Sequence, residues 1–170
     1  MNTRHALIDS PLGELTLVAD GDALVGLYFR HHWYRPPADG LGARVEARAD
    51  ALLATVQARL DEYLAGSRTE FDLPTTLRGD DSQRQIWKRL SAIPYGQTIT
   101  YGELADELAD GSTAQQVGAA VGRNPVSIVV PCHRVVGKNG KLTGYAGGLH
   151  RKQFLLDLEE PAEAREARLF

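Results

Sequence analysis

Three helix-start signals crowd into the stretch from Ser82 to Gln115, and that crowding limits the fold more than any other feature of this 170-residue chain. Ser82 with Gln85, Thr100 with Glu103 and Ser112 with Gln115 each place a hydroxyl three residues ahead of a Gln or Glu. That reciprocal pattern closes the first turn of a helix. Ile86, Trp87, Leu90 and Ile93 follow the first signal at helical spacing, and Leu104, Ala105 and Leu108 follow the second. Two of the helices, 101–109 and 113–123, meet around Gly111, where a left-handed C′ residue is expected, and make a helix-turn-helix candidate. Asn139-Gly140 then sits between strand-like flanks, which predicts a hairpin wing after the helices. A last helix is expected from Leu149 to Glu160, burying Phe154, Leu155 and Leu158 and stopped by Pro161.

The first part of the chain reads differently. Glu14–Ala19 and Ala23–Phe29 are strand-like and are joined by the turn residues Asp20-Gly21-Asp22. Residues 35–42 are a Pro- and Gly-rich loop, and Val45 to Leu64 has helical spacing closed by Gly66. Residues 69–81 read as a linker. The division expected is an α/β domain over 1–75 and a mostly α domain over 76–170. His31 and His32 beside Trp33 have no third metal ligand nearby, so an exposed or loop role is expected and no metal site.

Net charge is −3, yet Ser112 to Leu156 holds no Asp or Glu and carries Arg123, Arg134, Lys138, Lys141, Arg151 and Lys152. This asymmetry reads equally as one face built to meet an anion or as chance clustering on a solvated face. In the helix after Ser112, Ala114, Val117, Gly118 and Val121 follow i, i+3, i+4, i+7 and should face the core. The opposite face would then show Gln115, Gln116, Ala119, Gly122 and Arg123. A face of small and neutral residues lets a helix backbone approach a large polar partner, and DNA is a candidate. No apolar run approaches the ~20 residues that span a bilayer, and the first residues have no secretory pattern. No membrane partner is expected.

The chain has one cysteine, Cys132, within "IVVPCHRVVG". A single thiol excludes an intramolecular disulfide framework and suits a reducing compartment such as the cytoplasm. A lone cysteine after an apolar run is commonly inert packing. A zinc deaminase would need a second cysteine in Pro-Cys-x-x-Cys, which "PCHR" lacks. The third reading is a nucleophile. A thiol of pKa about 8.5 needs a base or a positive field, and His133 and Arg134 follow directly. Neighbouring side chains on a regular strand point to opposite faces, so His133 can serve Cys132 only if the backbone turns there or water bridges them.

The stretch "NPVSIVVPCHRVVG" (124–137) resembles the active-site signature of the O6-alkylguanine-DNA alkyltransferases, the methylated-DNA–protein-cysteine methyltransferases. "IPYGQTITYGELA" (93–105), "VGAAVGRNP" (117–125), "GKLTGYAGG" (140–148) and the last helix to Glu159 extend the likeness over about half the chain. The resemblance implies a ribonuclease-H-like α/β N-terminal domain, of small antiparallel sheet plus helix, and a winged-helix C-terminal domain. It implies DNA repair without a cofactor: an alkylated guanine is turned out of duplex DNA, and its alkyl group passes irreversibly to Cys132, once per molecule. His133 matches the base acting through water, Glu159 the carboxylate that orients it, and Asn124 the side chain that holds the adjoining turn. Tyr101 matches the donor toward the guanine ring nitrogen, and Tyr145 the pocket-loop aromatic. The backbone carbonyls of Cys132 and Val135 should accept from the guanine amine, and the Ala146 N–H should face O6. Ala119, Arg123 and Arg134 are expected on the DNA side. A monomer is expected, with cooperative binding on DNA left open.

One position departs from the family pattern. The family usually has an arginine that enters the stack where the base leaves; here "TAQQVG" puts Gln115 there. Glutamine lacks the cation and the planar fork. Slower base extrusion with function retained is expected, Arg123 being the nearest source of charge. Two other classes compete with this reading: a lesion-binding module without transfer, which retention of Cys132 argues against, and a thiol hydrolase with many turnovers.

Overall fold

The computed structural model describes residues 2–32, 34–161 and 163; Trp33 and the rest of the C-terminus lie outside the described residues. Strands β1 (Thr3–Ile8), β2 (Leu15–Asp20) and β3 (Ala23–Phe29) form an antiparallel meander, and the short β4 (Ala43–Arg44) adds in parallel beside β1. The β2–β3 hairpin follows the sequence expectation. β1 has a weaker alternating pattern and is found only through its pairing, Thr3 opposite Asp20 to Ile8 opposite Leu15.

Helix α1 (Ala51–Leu64) starts six residues later than its periodicity suggests. Val45 N–H donates to His5 O, continuing the sheet edge, and the Asp50 side chain accepts from Leu53 N–H to cap the helix. Leu53, Val56, Leu60, Tyr63 and Leu64 of α1 are buried in the same apolar cluster as Leu15, Leu17, Leu24 and Leu27 of the sheet. Val18, Val25 and Tyr28 form a second, smaller cluster with Leu41. The hairpin is therefore apolar on both faces, which explains its near-continuous rather than alternating sequence.

The segment read as a linker is tied to the sheet. Leu24 N–H donates to Pro74 O and Thr76 N–H to Leu24 O, so residues 74–76 run along the outer edge of β3. Further along that strand, Leu27 N–H donates to Pro125 O. The main cluster then passes without a break into the second half, through Trp87, Leu90, Leu104, Val117 and Val121.

That half holds α2 (Asp81–Ser91), β5 (Ile99–Thr100), α3 (Tyr101–Leu108), α4 (Ala114–Gly122), β6 (Val135–Val136) and α5 (Leu149–Glu159). Three capping boxes are present, but two sit elsewhere than expected. Asp80 with Gln83, not Ser82 with Gln85, caps α2; Thr113 with Gln116, not Ser112 with Gln115, caps α4. At α4 the reason is local: Asp110 accepts from Ser112 N–H, which draws Ser112 into the turn and leaves Thr113 as cap. α3 ends on Ala109 in the left-handed conformation, two residues before Gly111. The Asn139-Gly140 turn forms with both residues at positive φ, yet no second strand returns from it. β6 pairs instead in parallel with β5. On α5, Leu155 is buried as expected, whereas Phe154 is exposed and Leu158 only half-buried.

Candidate active site

The run Ile128–Pro131 is not a strand. Val129 N–H donates to Ser127 O across Ile128, which has φ +72°, and Cys132 N–H donates to Val130 O across Pro131. Two successive three-residue turns replace the extended chain. A β-branched residue at positive φ costs on the order of 1–3 kcal/mol and persists only where its surroundings dictate it. Asn124 supplies that restraint: its Oδ1 accepts from Val126 N–H at 3.0 Å and its Nδ2 donates to Val130 O at 2.8 Å. Cys132, His133 and Arg134 then form one 3-10 turn. This is the backbone turn that lets successive side chains leave a two-sided strand pattern.

Behind Cys132 lies a sealed polar cluster. Glu159, 2% exposed at the end of α5, receives four donors. Arg134 Nε reaches Oε1 at 2.8 Å, Arg134 Nη2 reaches Oε2 at 2.9 Å, His133 Nε2 lies 2.8 Å from Oε2, and the Tyr63 hydroxyl donates to Oε2 as well. A carboxylate accepts and has no donor, so four donors, three on Oε2 and one on Oε1, suit an ionised Glu159. Burial pushes the carboxyl pKa up, and the Arg134 fork opposes that by pairing with the charged form and holding it ionised. The same geometry places the proton of His133 on Nε2, leaving Nδ1 a bare lone pair. That Nδ1 is buried with no hydrogen-bond partner. Burial, with Arg134 and Lys152 nearby, holds the imidazole pKa well below its usual value, so the ring is neutral at pH 7.

In front of Cys132 is a cavity of about 840 Å³. It falls within the roughly 300–1,000 Å³ common for small-ligand sites. Tyr101 at the start of α3, Gln115 and Gly118 of α4, and Tyr145 and Ala146 of the following loop line it together with Asn124, Ser127 and Cys132. The sulfur is thus neither walled off by hydrocarbon nor distant from an opening. Ser127 Oγ and Tyr145 OH are buried here with no partner but the Cys132 thiol. Burial raises the Cys132 thiol pKa, and Asn124, Lys152 and Ser127 oppose that shift. Thiol and imidazole are therefore both neutral at rest, and a thiolate forms only when the proton is taken up as a reaction proceeds.

The remaining expectations divide. Gln115, Ala119 and Arg123 are exposed on or at the end of α4, but Ala114, expected in the core, is exposed too. The Arg123 guanidinium lies 4.1 Å from the ring centroid of Tyr34 and does not line the cavity. Val135 is buried in β6 and does not line the cavity either; its N–H donates to Cys132 O. Arg134 needs correction: it is buried, its Nη1 donating to Ile93 O at 2.6 Å, and it faces Glu159 rather than the surface. The single cationic face dissolves accordingly. Lys152 is fully buried, donating to Thr143 O at 3.0 Å and Gly144 O at 3.3 Å, and burial lowers its pKa to about 8. Arg151 donates to Leu12 O and Gly147 O at 2.8 Å. Arg123, Lys138 and Lys141 alone of the six remain exposed. Tyr63 and Phe29 were missed by sequence reasoning. Phe29 packs edge-on against Tyr145, and a side chain at Gly147 would strike its ring at 2.5 Å. Lys152 did carry a signal: with Leu155 and Glu159 it makes a buried i, i+3, i+7 stripe on α5.

Two family models account for most of the chain. The 6-O-methylguanine DNA methyltransferase ribonuclease-like domain matches residues 3–77, and the DNA binding domain of the same family matches residues 81–161. A Mycobacterium tuberculosis protein named methylated-DNA–protein-cysteine methyltransferase is 44% identical over 174 aligned positions, covering 98% of each chain. The Mycolicibacterium paratuberculosis protein of that name is 45% identical over 166, again covering 98% of both. Among solved structures, the crystal structure of M. tuberculosis OGT in complex with DNA superposes with a TM-score of 0.82 at 43% identity, over 92% of both chains. Identity along nearly the whole length, and a likeness of fold that takes in both halves at once, leave one conclusion: this chain belongs to the 6-O-methylguanine DNA methyltransferase family.

Proposed function

We propose that this protein repairs O6-alkylguanine in duplex DNA by moving the alkyl group to Cys132. The observation that carries the proposal is the position of the thiol. Cys132 lines a cavity together with the first residues of α3 and α4, and the next residue, His133, has one ring nitrogen already committed to a buried carboxylate. The full-length relatives and the DNA-bound structure described above agree with it in name.

In this reading the damaged nucleotide leaves the stack, at a cost of a few kcal/mol, and enters the cavity. The Cys132 proton passes to Nδ1 of His133 through a bridging water. The resulting imidazolium is stabilised by Glu159, whose charge faces Nε2. Sulfur attacks the alkyl carbon, the S–C bond forms and the C–O bond breaks, and the electron pair stays with guanine. Tyr101 donates toward the ring nitrogen as that charge develops. Burial raises the Tyr101 pKa, so the phenol holds its proton until then. Asn124 fixes the turn, Tyr145 and Ala146 form the pocket wall, and the Cys132 carbonyl faces the guanine amine. Gln115 and Ala119 meet the DNA, Gln115 filling the space the base leaves. No group here would hydrolyse a thioether, so each molecule acts once.

In this reading the protein acts as a monomer and without a cofactor, the alkyl group passing directly from guanine to Cys132. A nucleophilic free thiol fits a reducing compartment such as the cytoplasm. No helix among the described residues is long and apolar enough to cross a membrane.

The deciding experiment is the intact mass of the protein after mixing with duplex DNA containing O6-methylguanine. One added methyl group, located on Cys132 and missing from Cys132→Ala, is the expected result. Tight binding with no added mass would instead make the chain a lesion-binding module, and repeated turnover would make it a hydrolase.

A further inference from the structure

We infer that Tyr63, on helix α1 of the N-terminal half, is a positioning residue for the transfer: its hydroxyl donates to the Glu159 oxygen that faces His133 and so keeps the His133 proton on Nε2. The inference rests on the alkyl-transfer reading for its kinetic consequence and on geometry alone for its structural one.

Tyr63 is fully buried and stands 96 residues from Glu159 in sequence, yet its hydroxyl donates to Oε2, the oxygen that also faces His133 Nε2. The ring cannot swing away. It lies 4.7 Å from Phe71 and 6.0 Å, edge-on, from Tyr95. Tyr95 in turn donates to Leu158 O, next to Glu159, and sits under the Arg134 guanidinium. The charged and titratable groups around Glu159 are thus Tyr63 from α1, Tyr95 from the segment after α2, and His133 and Arg134 from the active-site turn. Lys152 stands near enough to act on His133.

Without the Tyr63 hydroxyl, the buried Oε2 keeps two of its three donors, the charged form is less stabilised and the carboxylate becomes more basic. On taking a proton, Glu159 would donate to Nε2 rather than accept from it. The ring proton would then sit on Nδ1, the nitrogen needed for the Cys132 proton. Tyr63 therefore opposes loss of the base at low pH. In this way the sheet domain takes part in the chemistry while remaining outside the cavity.

The test uses the full chain carrying Tyr63→Phe, which keeps the ring and its packing. The single-turnover rate on duplex O6-methylguanine DNA should fall about tenfold near neutral pH, the equivalent of one hydrogen bond to a charged group. The acid limb of the pH–rate profile should move up by about one unit. In a Glu159→Gln background the same change should cost nothing further, because the two act as one unit. Nitrogen NMR of the His133 ring, without DNA, should show Nε2 protonated in the parent and Nδ1 gaining proton occupancy at higher pH in the variant. A parental rate and acid limb in Tyr63→Phe, an equal loss in the Glu159→Gln background, or an unchanged ring tautomer overturns the inference. If the parent forms no Cys132 adduct, the transfer reading fails instead, and the NMR result still decides the role of Tyr63.

Discussion

The two sides of Cys132 contrast sharply in how their polar atoms are satisfied. Behind it, Glu159 meets four donors from three side chains, and Arg134 uses three of its nitrogens. In front, Ser127 Oγ and Tyr145 OH line the cavity, buried with no partner but the Cys132 thiol. Buried polar groups in folded proteins are nearly always paired. A filled network fixes geometry, and an unfilled one a few ångströms away is ready to bind. The difference separates residues that hold the site from residues that meet what enters it.

Substitutions on the two sides should therefore fail in different ways. The largest effect belongs to the thiol itself: Cys132→Ala should abolish the methyl adduct, read by intact mass, while thermal unfolding stays cooperative. Next comes the sealed side. Arg134→Ala leaves the Glu159 charge buried without its fork and should lower stability by about 3–5 kcal/mol in denaturant titration. A loss below ~1 kcal/mol would show that the network is less closed than described.

The third prediction concerns the support behind the pocket loop. His32 stacks on Phe29, the ring that packs against Tyr145, and accepts from Phe29 N–H at 3.3 Å. Burial, with Arg35 nearby, lowers its pKa to about 4. Its unfolded value is near 6.5, so between pH 6.5 and 4 the unfolded chain binds the extra proton. Stability is then fully present above pH 6.5 and declines as pH falls to 4, by up to about 3 kcal/mol. In His32→Gln, unfolding measured over that window should show a shallower slope.

Smaller effects fall on the open side. Tyr101→Phe should slow single-turnover transfer about tenfold with the melting temperature unchanged, since the phenol acts on the departing base. Smallest is Gln115→Arg, which should speed transfer on duplex DNA by about threefold by restoring a cation at the mouth. An unchanged or slower rate would mean Gln115 already serves the extruded state.

Much of the fold was legible because its signals are local. The hairpin at 15–29, the helix-turn-helix and the Asn139-Gly140 turn depend on residues within about four positions of each other. Even so, boundaries slipped by one or two residues wherever two cap candidates adjoined, as at Ser112 and Thr113. The second wing strand was not legible because β6 found a partner in β5, 36 residues away in register. Of the site, Cys132, His133, Asn124, Tyr101 and Glu159 stood out through a family likeness concentrated in a few motifs.

The sequence alone determined that the thiol is single, that His133 can serve it only through a backbone turn or a bridging water, and that acidic residues are absent around it. Tertiary structure alone decided which cations stay exposed and which are buried. Charge sign is written in the chain, but burial is set by packing between distant segments. The same holds for Tyr63: no pattern in α1 distinguishes it from a core tyrosine, and only the docking of α1 against the end of α5 brings its hydroxyl to Glu159.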